Sequence, residues 1–202
     1  FGSPLSHKTH QAFQRLNVEY LRCRTKNPYS WKSFLNKHYA LVAVEERSTS
    51  EFIGWLDSDL LILGEPNQLI LKEGEDFLAC PADKNGGTTG LADPLEPYWK
   101  EACQSVGIDI EDLPWVTTER EGIPIRLYFN SGVFVYRRST GFAKPHLEAT
   151  VRLFDSRIAS RSSVYFTQHT LGMTVVKMGL SWRVLPQSHN YGMGSKTYDQ
   201  WY

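Results

Sequence analysis

Apolar residues recur along this chain in two rhythms, and the switches between them outline its elements. In "WKSFLNKHYALVAVEE" (31–46), Trp31, Phe34, Leu35, Tyr39, Leu41 and Val42 fall three and four apart, which predicts a helix with one buried side. "PLSHKTHQAFQRL" (4–16) predicts another, with Leu5, Ala12, Phe13 and Leu16 facing inward. A third helix is expected over 95–107, ending at Gly107, and two more over about 145–159 and 166–179. Between them lie short β-rich runs: "VEYLRC" (18–23), "FIGWL" (52–56), "FLACP" (77–81) and "SWRVLP" (181–186). "IPIRLYFNSGVFVYRR" (123–138) reads as two strands separated by an Asn-Ser-Gly break, 83–94 as loop, and the tail beyond 186 as irregular. Strands alternating with helices predict an α/β domain whose mixed, mostly parallel sheet is flanked by helices. There is no internal repeat and no linker, so residues 1–202 are expected to form one domain.

Composition adds only exclusions. The chain has 202 residues, 41% hydrophobic and 22% charged, within the range of ordinary globular domains. Lys+Arg and Asp+Glu balance at 22 each, so no basic excess points to nucleic acid. No apolar run is long enough to span a bilayer. Cys23, Cys80 and Cys103 have no C-x-x-C spacing, which suits reduced thiols and a cytoplasmic setting.

The chemistry concentrates in "EFIGWLDSDLLILGEP" (51–66), where Asp57 and Asp59 stand inside an otherwise apolar run. Buried carboxylates one residue apart repel each other and are costly to desolvate. In an extended segment residues i and i+2 share a side, so the two would converge while Ser58 faces away. Two hard oxygen ligands aimed at one point suit Mg²⁺ or Mn²⁺ and leave coordination positions open for phosphate. The Asp109, Glu111, Asp112 cluster has a polar setting and reads as solvated surface or a helix start. In "YFNSGVFVY" (128–136), Gly132 permits close backbone approach, and Asn130 offers both a donor and an acceptor to a sugar hydroxyl.

Taken together, "FLNKHYAL", "WLDSDLLILGEP", "YFNSGVFVYRRS", "YFTQHTL" and "SWRVLPQSHNY" resemble the nucleotide-diphospho-sugar transferases of the GT-A fold. The likeness is greatest to glycosyltransferase family 8, the glycogenin and galactosyltransferase-like enzymes. It implies a Rossmann-like GT-A domain that moves a hexosyl group from a UDP- or GDP-sugar to a carbohydrate or other hydroxyl acceptor, with retention of configuration. By the same likeness Asp57 and Asp59 hold Mn²⁺ or Mg²⁺ on the diphosphate. Lys37, Ser58, Asn130, Ser131 and Gly132 line the donor site, and Gln168 joins Asn130 in the catalytic set. Two departures stand out. Thr167 occupies the place of the Asp in the family's Asp-Gln pair, and His189 lies in the Tyr-Asn block instead of the family's later His motif. His189 is a candidate third metal ligand. Trp115 and Tyr191, in or beside loops, are candidates for packing against the acceptor.

Only 56 residues precede Asp57, too few for the strand that opens GT-A domains, so the chain is expected to be a fragment lacking that strand and its C-terminal end. Two rival readings remain. A catalytically inactive glycosyltransferase-like module would bind sugar or protein. A D-x-D phosphatase would use Asp57 as its nucleophile, though Leu60 and the late position of the motif oppose it.

Overall fold

A computed structural model describes residues 5–22, 27–29, 31–156, 158 and 166–190. The main sheet has four strands: β1 (Phe52–Leu56), β2 (Phe77–Pro81), β5 (Phe129–Arg137) and β6 (Trp182–Val184), in the order β1-β5-β2-β6. β2 and β6 are parallel, while β5 runs antiparallel to both β1 and β2. Three strands therefore share a direction, and the single reversed strand lies among them. The sheet is mixed, consistent with a Rossmann-like fold. A separate pair, β3 (Trp115–Thr117) and β4 (Pro124–Arg126), forms a small antiparallel hairpin.

Both faces of the sheet are buried, which explains why "FLACP" and "VFVY" show no polar alternation. On one face Phe77, Ala79, Phe134 and Tyr136 join the large core. Four helices complete that core: α2 (Asn36–Arg47), α3 (Glu96–Val106), α4 (Ala143–Asp155) and α5 (Phe166–Lys177). They contribute Leu41, Trp99, Ala102, Leu153, Leu171 and Val175. The intervening residues Leu78, Cys80 and Val135 point the other way, as the two-residue period requires, and meet Leu71 and Leu185. The thiols of Cys80 and Cys103 are pushed up to about 12 by burial, so both stay protonated and unreactive at neutral pH.

Several sequence expectations change. "VEYLRC" forms no strand among its described residues 18–22, and Cys23 lies outside the described set. Helix α1 (His7–Arg15) is capped by Ser6, whose hydroxyl accepts from the Thr9 N–H, but it buries no residue. The helix expected from 31 begins as a 3-10 turn, Ser33–Leu35, and Trp31 and Phe34 end up exposed. His38 is buried in their stead. The acidic cluster is a helix start as expected: Asp109 and Asp112 form a capping box around the 3-10 turn Ile110–Asp112. The Asn-Ser-Gly stretch does not break its strand, because β5 runs continuously through it; the irregularity appears opposite, as a register shift between Ala79 and Pro81.

Candidate active site

Because β1, β2 and β6 point the same way, their carboxyl ends share one edge of the sheet. In open α/β sheets that edge is where ligands bind. Asp57 leaves β1 there, Ala82 leaves β2, the turn Gln187–His189 follows β6, and β5 enters with Phe129 and Asn130.

Asp57 is anchored three times. Its backbone N–H donates to the Gly132 carbonyl at 2.8 Å, continuing the β1–β5 ladder by one residue. Its Oδ1 accepts from Lys37 Nζ at 3.1 Å and from Trp55 Nε1 at 2.6 Å. Trp55 lies two residues before Asp57, hence on the same side of the strand. Beyond Leu56 the chain turns, so the strand rule that would make Asp59 converge with Asp57 does not extend to it. Asp59 is nevertheless close enough that its charge, like that of Asp57, favours the protonated form of Lys37. Neither Asp57 Oδ2 nor the Asp59 carboxylate has a partner among the described residues.

Lys37 sits in the first turn of α2 with its side chain 15% exposed. Nζ lies over the rings of Trp55 and Phe134, at 4.9 and 5.5 Å from their centroids, and donates to the Ser131 carbonyl as well as to Asp57. Burial pulls its pKa below the ordinary lysine value, and the two aspartates offset part of that pull. The Ser131 backbone is held through its N–H too. Gln168 Oε1, in the first turn of α5, accepts from the Ser131 N–H at 3.3 Å, while Gln168 Nε2 donates to the Tyr128 hydroxyl at 2.5 Å. Two helix starts thus converge on one residue of β5.

Asn130 behaves differently from expectation. Its Oδ1 accepts from the Gly132 N–H at 2.8 Å and from Asn190 Nδ2 at 2.8 Å, so the carbonyl is consumed inside the protein. What Asn130 has left to offer a ligand is its NH₂ group. Gly132 leaves room for this pair: a Cβ there would crowd it, standing 3.1 Å from Asn190 Oδ1 and 3.2 Å from Asn130 Oδ1.

The structure therefore gathers Lys37, Asp57, Asn130, Ser131, Gly132 and Gln168, with Ser58 and Asp59 exposed beside them. His189 follows β6 at the same edge, where its Nδ1 meets Ser188 Oγ at 3.2 Å, but no group of three acidic, His or Cys side chains with metal-binding geometry forms among the described residues. Trp115 belongs to the hairpin, with the Arg126 guanidinium 4.3 Å from its ring centroid. Tyr191 lies outside the described residues. Thr167 is buried in the first turn of α5. Trp55, Tyr128 and Asn190 were missed as site residues, although the i+2 rule links Trp55 to Asp57 and "SHNY" contains Asn190.

The available donor set suits a small divalent cation. One free carboxylate oxygen on Asp57 and the whole carboxylate of Asp59 are hard ligands, and such an ion commonly takes one or two carboxylates and completes its shell with phosphate and water. These features define a mixed α/β domain with a polar site at the carboxyl edge of its sheet. The chain belongs to the Rhodobacterales glycosyltransferase domain family, whose profile matches residues 3–179. That span includes Lys37, Asp57, Asn130 and Gln168 and stops short of β6 and Asn190. No curated protein and no solved structure gives a significant match. The domain is accordingly a glycosyltransferase domain, and no helix among its described residues is long and apolar enough to cross a membrane.

Proposed function

We propose that this domain transfers a hexosyl group from a UDP- or GDP-sugar to a hydroxyl acceptor, in a GT-A-like site where Asp57 and Asp59 hold Mn²⁺ or Mg²⁺. The observation that carries this reading is the knot at Ser131: Lys37 bridges its carbonyl to Asp57, while Gln168 holds its N–H. The Lys37 ammonium, the Asp57 carboxylate and the Gln168 amide meet at Ser131, with Asp59 exposed nearby, where an anionic donor would enter.

In the reaction, the bond from the anomeric carbon to the diphosphate breaks and a bond to the acceptor oxygen forms. The nucleoside diphosphate departs, and the acceptor proton passes to a phosphate oxygen or to water. The divalent ion, when bound, stabilises the charge that develops on the leaving diphosphate. Lys37 adds a second positive charge at the same edge, held in place by two aromatic rings and a backbone carbonyl. Asn130 donates through its NH₂ to a sugar oxygen, and Gln168 fixes the Ser131 backbone against which the sugar rests. Retention of configuration is supported by the resemblance to family 8 and is read from the anomer of the product by NMR.

Thermal shift with UDP- and GDP-sugars, with and without Mn²⁺, tests the proposal. The expected result is a rise in Tm that needs both ligands and disappears in Asp57→Ala. No shift with any donor contradicts it. Phosphomonoester hydrolysis without nucleotide would identify a phosphatase, and donor binding without turnover a sugar-binding module.

A further inference from the structure

The Asn130–Asn190 contact fixes more than the position of two side chains. A backbone N–H can only donate, so the Asn130 atom facing Gly132 is its oxygen. That oxygen can only accept, so the Asn190 atom facing it is its nitrogen. The chemistry leaves one orientation for each amide. Asn130 turns its NH₂ away from the contact, and Asn190 turns its carbonyl away. Neither group has a hydrogen-bond partner among the described residues, and the Asn190 carbonyl lies over Gly132, 3.1 Å from where a Cβ would stand.

We propose that Asn190 is a specificity-determining residue, forming with Asn130 a two-amide reader of the transferred sugar. Asn130 donates to one sugar oxygen and Asn190 accepts from a neighbouring hydroxyl. The reader requires a hydroxyl able to donate at the Asn190 side. A sugar with that hydroxyl inverted leaves the Asn190 carbonyl unpaired, and unpaired site groups are what give polar sites strong discrimination. This inference rests on the glycosyl-transfer reading above.

Two isosteric variants test the interlock without any ligand. Asn130→Asp keeps the oxygen that accepts from Gly132 and Asn190, so its Tm should stay within about 1 °C of the parent. Asn190→Asp sets oxygen against oxygen and should lower Tm by about 3 °C or more. Equal or reversed effects overturn the proposed orientation. Specificity is then measured by calorimetry in Mn²⁺ with UDP-glucose, UDP-galactose, GDP-glucose and GDP-mannose, and with UDP and GDP alone. The parent should separate one epimer pair by about tenfold or more, and Asn190→Ala should reduce the ratio to about twofold or less, with UDP or GDP affinity unchanged. A ratio unaffected by Asn190→Ala, or nucleotide binding without epimer discrimination in the parent, overturns this inference alone. A parent that binds no nucleotide overturns the glycosyl-transfer reading and this inference with it.

Discussion

Lys37 and Asp57 stand 20 residues apart in sequence, and their charged groups meet at 3.1 Å, with Lys37 also donating to the Ser131 carbonyl. The lysine therefore neutralises Asp57 before any divalent ion arrives and ties the end of β1 to β5. An incoming cation must share Asp57 with it.

Replacing Lys37 by Met should separate these two roles. Mn²⁺ alone, without nucleotide, should bind about tenfold tighter by calorimetry, because a repelling charge close to Asp57 is gone. Turnover of a nucleotide-sugar should fall about tenfold or more, because the diphosphate loses a fixed cation. Unchanged Mn²⁺ affinity would mean that Asp57 does not hold the ion.

Acid should destabilise the fold through three buried histidines. His38 on α2 and His146 on α4 are both buried, with ring centroids 4.5 Å apart. Burial brings His38 and His169 down to about 3, and His146 falls well below its ordinary value. All three are neutral when folded, whereas in the unfolded chain they take up protons below about pH 6.5. Stability is therefore full above that pH and falls as pH drops from about 6.5 towards 3, by about 1.4 kcal/mol per pH unit for each group. Tm measured between pH 7 and pH 5 should drop steeply, and His146→Phe should flatten the slope by about a third. A flat profile contradicts the neutral buried state.

The site and these histidines were unequally legible in the sequence. Local pattern located Asp57 and Asn130, because each sits in a short block whose neighbours define its setting, while Gln168 was legible only through the family resemblance. It could not show that Asn130 spends its carbonyl on Gly132 and Asn190, since that bond joins residues 60 positions apart. Nor could it reveal the burial of His38, which depends on α4 packing against α2. The run "LLIL" makes the setting of Asp57 and Asp59 look apolar on both sides, yet the turn after Leu56 takes it out of the sheet and leaves Leu61, Ile62 and Leu63 between 63% and 86% exposed. Hydrophobicity alone cannot tell where a strand stops. The start of the Ile110–Asp112 turn was readable because its capping box depends on residues three apart.

Gly172 couples α5 to the backbone beneath it. A Cβ there would lie 2.9 Å from the Leu127 carbonyl oxygen, a contact that only a shift of the helix relieves. Gly172→Ala should cost about 1–3 kcal/mol by denaturant unfolding. Since α5 carries Gln168, turnover should fall more than stability alone explains. An Ala variant as stable as the parent would mean that α5 is not packed this closely.

Tyr128 should act as a positioning residue. It is 2% exposed, and its hydroxyl accepts from Gln168 Nε2. Tyr128→Phe removes one of the two anchors of the Gln168 amide. The expected outcome is a kcat lower by about tenfold with KM for the donor within about twofold, since the groups that hold the diphosphate are untouched. A rise in KM with kcat unchanged would place Tyr128 in donor binding instead.

The central claim is that Asp57 and Asp59 grip a divalent ion, which in turn grips a diphosphate. Titrating UDP- and GDP-sugars into the protein with Mn²⁺ and then with EDTA, in the parent and in Asp57→Asn, tests it most directly. The account predicts binding that requires Mn²⁺ and weakens by about a hundredfold or more in Asp57→Asn. Donor binding of equal strength with EDTA, or in Asp57→Asn, would contradict it.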